Sequence, residues 1–352
     1  MGVGHRDSPA SDKSKVIYVV SAYWVISISM VYVNKMLMSD TSVSINAPLF
    51  VTWYQCFVTC LICYLCGSLG EMYTASYGND RPAVAPPGKY ASFFKQFPRA
   101  DYDVAVGKQV LPLSIVFVGM ITFNNLCLKL VEVSFYNVAR SLTIVFNVVF
   151  TYFLLGTPSS RNTIICLGVV VFGFLVGSGG EMNFSAFGTF SGILSSFFVS
   201  LNSIFTKKVL PYVGENHWKL TFYNNVNACL LFTPLILLFE LPTLYDALSV
   251  QFLSPTFWLS MSLAGFFGFA IGIVTVLQIK VTSPLTHNIS GTAKAALQSL
   301  LAFYIWGNTP TTAGLAGIAS VLGGSLLYTQ VKMQEAEEAD KSRLPQTVVA
   351  KA

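Results

Sequence analysis

Charge-poor, apolar runs of about 20 residues recur along the chain, separated by short polar breaks, at roughly 16–34, 48–70, 109–128, 133–155, 162–180, 184–206, 219–239, 256–279, 283–306 and 310–331. A helix crossing the hydrocarbon core needs about that length, because in lipid every backbone N–H and C=O must be satisfied within the segment. The pattern therefore predicts an all-α membrane protein with ten transmembrane helices. Two breaks are sharp: Ser254-Pro255 opens the eighth run, and Gly307-Asn308-Thr309-Pro310 divides a stretch too long for one crossing. Residues 1–15 are polar and carry no cleavable signal pattern, so the first apolar run is expected to be retained as a helix.

An internal repeat divides the runs five and five. Trp24 to Leu37 (WVISISMVYVNKML) lies over Phe197 to Leu210 (FFVSLNSIFTKKVL), Thr52-Trp53-Tyr54-Gln55 over Thr221-Phe222-Tyr223-Asn224, and Lys129 and Asn137 over Lys280 and Asn288. The order of the matches is kept, and the change in offset falls on residues 71–107. An odd number of helices per repeat sends the second copy through the membrane upside down, a plan that places a transporter's substrate site between the repeats. The expected organisation is a tail at 1–15, a first five-helix repeat at 16–180 containing a linker at 71–107, a second repeat at 184–331, and a tail at 332–352. The linker contains Pro82, Pro86, Pro87 and Pro98 with charges of both signs, and reads as a flexible cytosolic connection without a core of its own.

Only 11% of the residues are charged and 53% are hydrophobic, against about 25% charged in soluble domains. This excludes an ordinary soluble globule and leaves no room for a soluble catalytic domain. The net charge of +5 then bears on loop orientation and not on nucleic acid, which is not an expected partner. With the amino terminus in the cytosol, all of the 21 lysines and arginines except Lys35, Lys129, Arg140 and Lys294 fall on the cytosolic side, which places both termini there.

Every Asp and Glu lies at the end of a run, in a loop or in a tail. That disfavours a proton relay built on buried acids. It equally disfavours a membrane glycosyltransferase, which needs acid–base or metal-binding carboxylates, so no enzyme is expected. Two cations do lie at depth: Arg140 about two turns into the fourth run and Lys294 about three turns into the ninth. Each costs at least ~2.5–3.5 kcal/mol there and persists where it faces a cavity or a partner. With no acid at depth, the partner expected is an anion brought from outside; the alternative is that Arg140 snorkels and Lys294 caps carbonyls. Asn124, Asn125, Asn137, Asn147, Asn202, Asn224, Asn225, Asn227, His287 and Asn288 are polar residues unusual in lipid. They either bond between helices, at about 0.6 kcal/mol each, or read a nucleobase edge while Arg and Lys neutralise phosphate.

Ser283-Pro284 pairs an N-cap residue with an N1 proline and predicts that the ninth helix starts there, its positive dipole end toward the cytosol. Gly173 and Gly177, Gly268 and Gly272, and Gly323 and Gly324 are candidates for close helix contact; no Walker or dinucleotide fingerprint is present. Cys56, Cys60, Cys63 and Cys66 place most of their thiols on one face of the second run, but no His or acid joins them. They read as buried free thiols, with no metal or cofactor expected. Asn183-Phe184-Ser185 is a luminal glycosylation sequon lying close to two spans.

The motif Phe222-Tyr223-Asn224-Asn225, with Ser290-Gly291-Thr292-Ala293-Lys294, resembles the nucleotide-sugar transporters of the drug/metabolite transporter superfamily. The strings Ile121 to Leu130 (ITFNNLCLKL), Phe135 to Ser141 (FYNVARS), Leu220 to Cys229 (LTFYNNVNAC) and Thr282 to Ala295 (TSPLTHNISGTAKA) are similar to the Golgi GDP-fucose transporters of that group. The likeness covers all ten runs and omits the tails and linker. It implies ten helices in two inverted repeats and exchange of cytosolic nucleotide sugar for luminal nucleoside monophosphate, here GDP-fucose for GMP, across the Golgi membrane. GDP-mannose or another nucleotide sugar is the nearest alternative. Carried over by position, Asn224 and Asn225 read the guanine, Tyr223 lines the pocket, Lys294 neutralises phosphate, and Tyr23, ahead of Lys35, faces the substrate. Asn124, Asn137, Arg140, His287, Asn288, Ser290, Gly291 and Thr292 complete the candidate site. The partners expected are GDP-fucose, GMP and membrane lipid, with a homodimer as a further candidate. Between the Val281-Thr282-Ser283 anchor and Lys294 this chain is one residue shorter than the GDP-mannose members. That rotates a helical side chain by ~100° and leaves the facing of Lys294 open.

Overall fold

The computed structural model describes residues 9–38, 44–78, 99, 101–156, 159–179, 185–282, 284–307 and 311–343. The helices among them are α1 (Pro9–Met38), α2 (Pro48–Gly78), α3 (Val104–Leu130), α4 (Val133–Leu155), α5 (Arg161–Gly179), α6 (Ala186–Val209), α7 (His217–Phe239), a short α8 (Leu241–Ala247), α9 (Pro255–Val281), α10 (Pro284–Trp306) and α11 (Thr312–Arg343). Among the described residues nine helices are long and apolar enough to cross a membrane. The chain is an all-α, multi-pass membrane protein. α10 stands apart from the nine because its first half carries Thr286, His287, Asn288, Ser290, Thr292 and Lys294.

Helix ends follow local chemistry. α9 starts at Pro255 and α10 at Pro284, where the fixed φ of proline suits the first turn and its missing N–H leaves nothing unsatisfied. α10 stops at Trp306 because Gly307 takes a left-handed φ of 63°. α7 starts under Asn216, whose Oδ1 accepts the N–H groups of Trp218 and Lys219 at 2.9 and 3.0 Å. α2 runs on to Gly78 and α3 begins at Val104, so helices take up both edges of the stretch expected to be a flexible linker. Residues 79–98, Ser283, and Asn183-Phe184 of the sequon lie outside the described residues.

The chain gathers into two compact units, each drawing on both halves of the sequence. The first comprises Met1–Val25, Val131–Ser196 and Val274–Ala352. In it α5 packs on α11 through glycine: a Cβ at Gly317 would stand 2.4 Å from the Gly177 Cα, one at Gly173 2.8 Å from the Val321 nitrogen, and one at Gly324 2.9 Å from a Val170 methyl. Such backbone approach supplies the van der Waals contact that holds helices together in lipid. α4 is tied to α10 by Asn137, whose Nδ2 donates to Ser299 Oγ at 3.0 Å and whose Oδ1 accepts from Gln298 Nε2 at 3.2 Å.

The second unit comprises Ile26–Leu130 and Phe197–Ile273. Here α2 bonds to three neighbours: Gln55 Nε2 donates to Asn34 Oδ1 of α1 at 2.8 Å, Thr52 Oγ1 accepts from Asn125 Nδ2 of α3 at 2.7 Å, and the Tyr54 hydroxyl meets Ser262 Oγ of α9 at 2.9 Å. An apolar layer of Leu49, Cys56, Val118, Ala228, Phe232 and Ile236 joins α2, α3 and α7. Just past α7, the Glu240 carboxylate accepts the N–H groups of Leu49 and Phe50 at 2.9 and 2.8 Å, satisfying the first turn of α2. Burial pushes the Glu240 carboxyl above its ordinary value, with the two N–H donors and Lys129 pulling the other way. Cys56 and Cys63 are buried, Cys60 and Cys66 half-buried, and all four are free thiols. Gly268 and Gly272 in this unit, and Gly323 in the first, have no neighbour closer than 4.0 Å where a Cβ would go. The expectation of close helix contact therefore holds for Gly173 and Gly177 and for Gly324, and fails for those three.

Candidate functional site

In the first unit the two cations from the apolar runs come together. α10 meets α1 at Ser290, whose Oγ accepts from Trp24 Nε1 at 2.7 Å. One turn further along the same helix face, Lys294 sets its Nζ 5.9 Å from the Tyr23 ring centroid, a cation–π distance. Gly291 faces the same tyrosine, 3.9 Å from its hydroxyl for an added Cβ. Across from them on α4, Arg140 Nη1 donates to the hydroxyl of Tyr136 one turn back, at 2.9 Å. Lys294 lies within electrostatic reach of Arg140. Two like charges within reach of one another repel, and an anion binding both converts that repulsion into attraction. Arg140 is exposed and Lys294 half-buried.

In the second unit, the Asn216 cap and the turns of α7 set out Tyr223, Asn224 and Asn225. Tyr223 is 1% exposed. Its hydroxyl accepts from the Asp103 N–H at 2.9 Å and donates to the Asp101 carbonyl at 3.0 Å. Asn224 is 7% exposed, and its Oδ1 accepts no hydrogen bond among the described residues. Leaving a buried amide oxygen unfilled costs about 1–3 kcal/mol, a cost that a donor on a ligand removes. Asn225 Nδ2 donates to the Thr221 carbonyl of its own helix at 2.8 Å. Asn124 is half-buried on α3. Thr122 Oγ1 and Asn202 Oδ1 are, like Asn224, buried and unfilled among the described residues.

Tyr23, Arg140, Ser290, Gly291 and Lys294 thus share one unit, with Thr292 half-buried on the same helix and Asn137 engaged between α4 and α10. Asn124, Tyr223, Asn224 and Asn225 belong to the other unit. The side chains of His287 and Asn288 lie outside the described residues. Trp24 and Tyr136 were not among the sequence candidates. Tyr136 was within reach, being four residues before Arg140 on a helix; the Trp24 to Ser290 contact joins residues 266 apart and has no local signature.

The sequence matches the Triose-phosphate Transporter family over residues 14–329, from α1 into α11. The chain belongs to this family. Among curated relatives, GDP-fucose transporter 1 of Nematostella vectensis is 47% identical over 340 residues, covering 95% of this chain and 94% of its own. GDP-fucose transporter 1 of Mus musculus is 49% identical, covering 94% and 87%. The protein named GDP-fucose transporter, Golgi, of Drosophila melanogaster is 41% identical, covering 91% of each. A crystal structure that is 14% identical aligns over 93% of this chain and 99% of its own with a TM-score of 0.50, a likeness of fold alone. These matches bear out the resemblance to nucleotide-sugar transporters seen in the sequence. The protein is a transporter and not an enzyme.

Proposed function

We propose that this transporter moves GDP-fucose from the cytosol into the Golgi lumen in exchange for GMP. It does so by alternating access through ten transmembrane helices arranged as two inverted repeats, 16–180 and 184–331, with both termini cytosolic. The observation that carries this is that Arg140 and Lys294 lie in one compact unit within electrostatic reach of each other, Lys294 beside Tyr23, in a chain whose relatives at 41–49% identity are GDP-fucose transporters. GDP-fucose carries its charge on a diphosphate, for which two cations are the matching partners. Guanine presents two kinds of N–H donor beside one carbonyl on its pairing edge, and the Asn224 amide offers the complementary acceptor and donors.

α10 supplies the tenth crossing. Its 23 residues span about 35 Å, more than the ~30 Å hydrocarbon core. Its polar half is the half that holds Ser290, Gly291 and Lys294, as suits a helix turned toward a binding site. GMP keeps the guanine and one phosphate, so the same groups serve both directions. With the second phosphate proton lost near pH 6, GMP and GDP-fucose carry similar charge and the exchange is close to electroneutral. A homodimer belongs to the same proposal and is read from light scattering of the solubilised protein. Competition by unlabelled nucleotide sugars against labelled GDP-fucose in proteoliposomes tests the specificity. GDP-fucose is expected to compete best and uridine nucleotides worst; equal competition by a UDP-sugar contradicts the guanine assignment, and stronger competition by GDP-mannose reassigns the sugar.

A further inference from the structure

The three residues before α3, Asp101-Tyr102-Asp103, are fastened to α7 at two points one turn apart. The first is Tyr223, whose hydroxyl bridges the Asp103 N–H and the Asp101 carbonyl. The second is Asn227: its Oδ1 accepts from the Tyr102 hydroxyl at 2.6 Å, and its Nδ2 donates to the Gly107 carbonyl at 2.9 Å and to Ser114 Oγ at 3.2 Å. The Tyr102 ring stacks on Tyr223 with centroids 5.1 Å apart. Gly107 makes room for this: a Cβ there would stand 2.2 Å from the Tyr102 hydroxyl oxygen and 2.6 Å from Cζ, so any larger residue displaces Tyr102 from Asn227. Burial and, next, the neighbouring Tyr223 push the Tyr102 phenol above its ordinary value, which keeps it a protonated donor.

Tyr223 and Asn227 are themselves buried and their polar atoms are engaged with the Asp101–Asp103 strap and with α3, so neither is placed to meet a ligand through those atoms. They lie four residues apart on one face of α7, and Asn224, its amide oxygen unfilled among the described residues, lies between them in sequence. Fixing positions 223 and 227 therefore fixes the rotation and height of the turn that carries Asn224 and Asn225. We infer that Tyr102, seated by Gly107 and bonded to Asn227, is a positioning residue for base recognition, setting substrate affinity and base selectivity without setting the rate of exchange. This rests on the GDP-fucose assignment above.

The test is counterflow of GDP-fucose into GMP-loaded proteoliposomes, resolved into KM and Vmax, with a UDP-sugar as competitor. Tyr102→Phe keeps the stacked ring and removes one hydrogen bond, and Gly107→Ala displaces the same hydroxyl from the other side. Each is expected to raise KM about 3- to 10-fold, leave Vmax within about twofold and let the UDP-sugar compete better, with the double variant no worse than the poorer single one. Wild-type KM and selectivity in Tyr102→Phe overturn the inference. So does a loss confined to Vmax, which assigns the strap to the conformational step. If Gly107→Ala fails to fold, the isosteric Tyr102→Phe decides alone. Absence of GDP-fucose exchange by the wild-type protein overturns the substrate assignment itself, a result distinct from an unaffected variant beside an active wild type.

Discussion

Lys294 is the side chain whose removal separates an anion site from a helix that happens to carry a charge. Hydrogen bonds to charged groups contribute about 1.5–3 kcal/mol, so Lys294→Ala is expected to lower GDP-fucose transport at limiting substrate by about 10- to 100-fold. Lys294→Arg, which keeps the charge, is expected to retain more activity. Uptake in the alanine variant equal to wild type removes the lysine from the site. The placement of Lys294 and Arg140 within apolar runs was legible in the sequence, where a cation has few physical excuses. That Lys294 reaches Tyr23 and lies within electrostatic reach of Arg140 was not, since contacts between α1, α4 and α10 join residues more than a hundred positions apart. Tyr223 shows the opposite limit: the motif marked it as important, but its buried hydroxyl is spent on Asp101 and Asp103, backbone groups in a stretch that composition alone read as flexible.

At the scale of helices, glycine and capping make separable predictions. Gly317→Ala drives a methyl group toward the Gly177 backbone and is expected to destabilise the protein by about 1–3 kcal/mol. Gly323→Ala, with open space, is expected to leave the thermal midpoint in detergent unchanged or slightly raised. Equal effects of the two substitutions contradict the α5–α11 contact. Sequence pattern marked glycines without saying which approach a partner, because that depends on which helix faces which. Glu240 gives a pH signature. Its folded-state pKa lies above the ordinary carboxylate value, so the stability from its protonation is fully present below the unfolded-state pKa and is lost as pH rises through the folded one. The wild-type thermal midpoint is expected to fall over that window, and Glu240→Gln, which cannot ionise, to lack this part of the slope. Parallel profiles for the two proteins rule the contribution out.

For the whole molecule, the succession of apolar runs carried most of the fold. Helix ends at Pro255, Pro284 and Gly307 follow from proline and glycine chemistry. The grouping into two compact units, each mixing early and late helices, was not legible, because lateral packing in lipid depends on small-residue contacts and buried amides more than on the hydrophobic pattern. Exchange transport distinguishes a carrier from a channel, and the distinction is measurable: uptake of labelled GDP-fucose into proteoliposomes that are either empty or hold trapped GMP. A GDP-fucose:GMP exchanger shows saturable uptake that trapped GMP stimulates and that Lys294→Ala loses. Uptake that is the same in empty and GMP-loaded vesicles, or the same in wild type and Lys294→Ala, would contradict it.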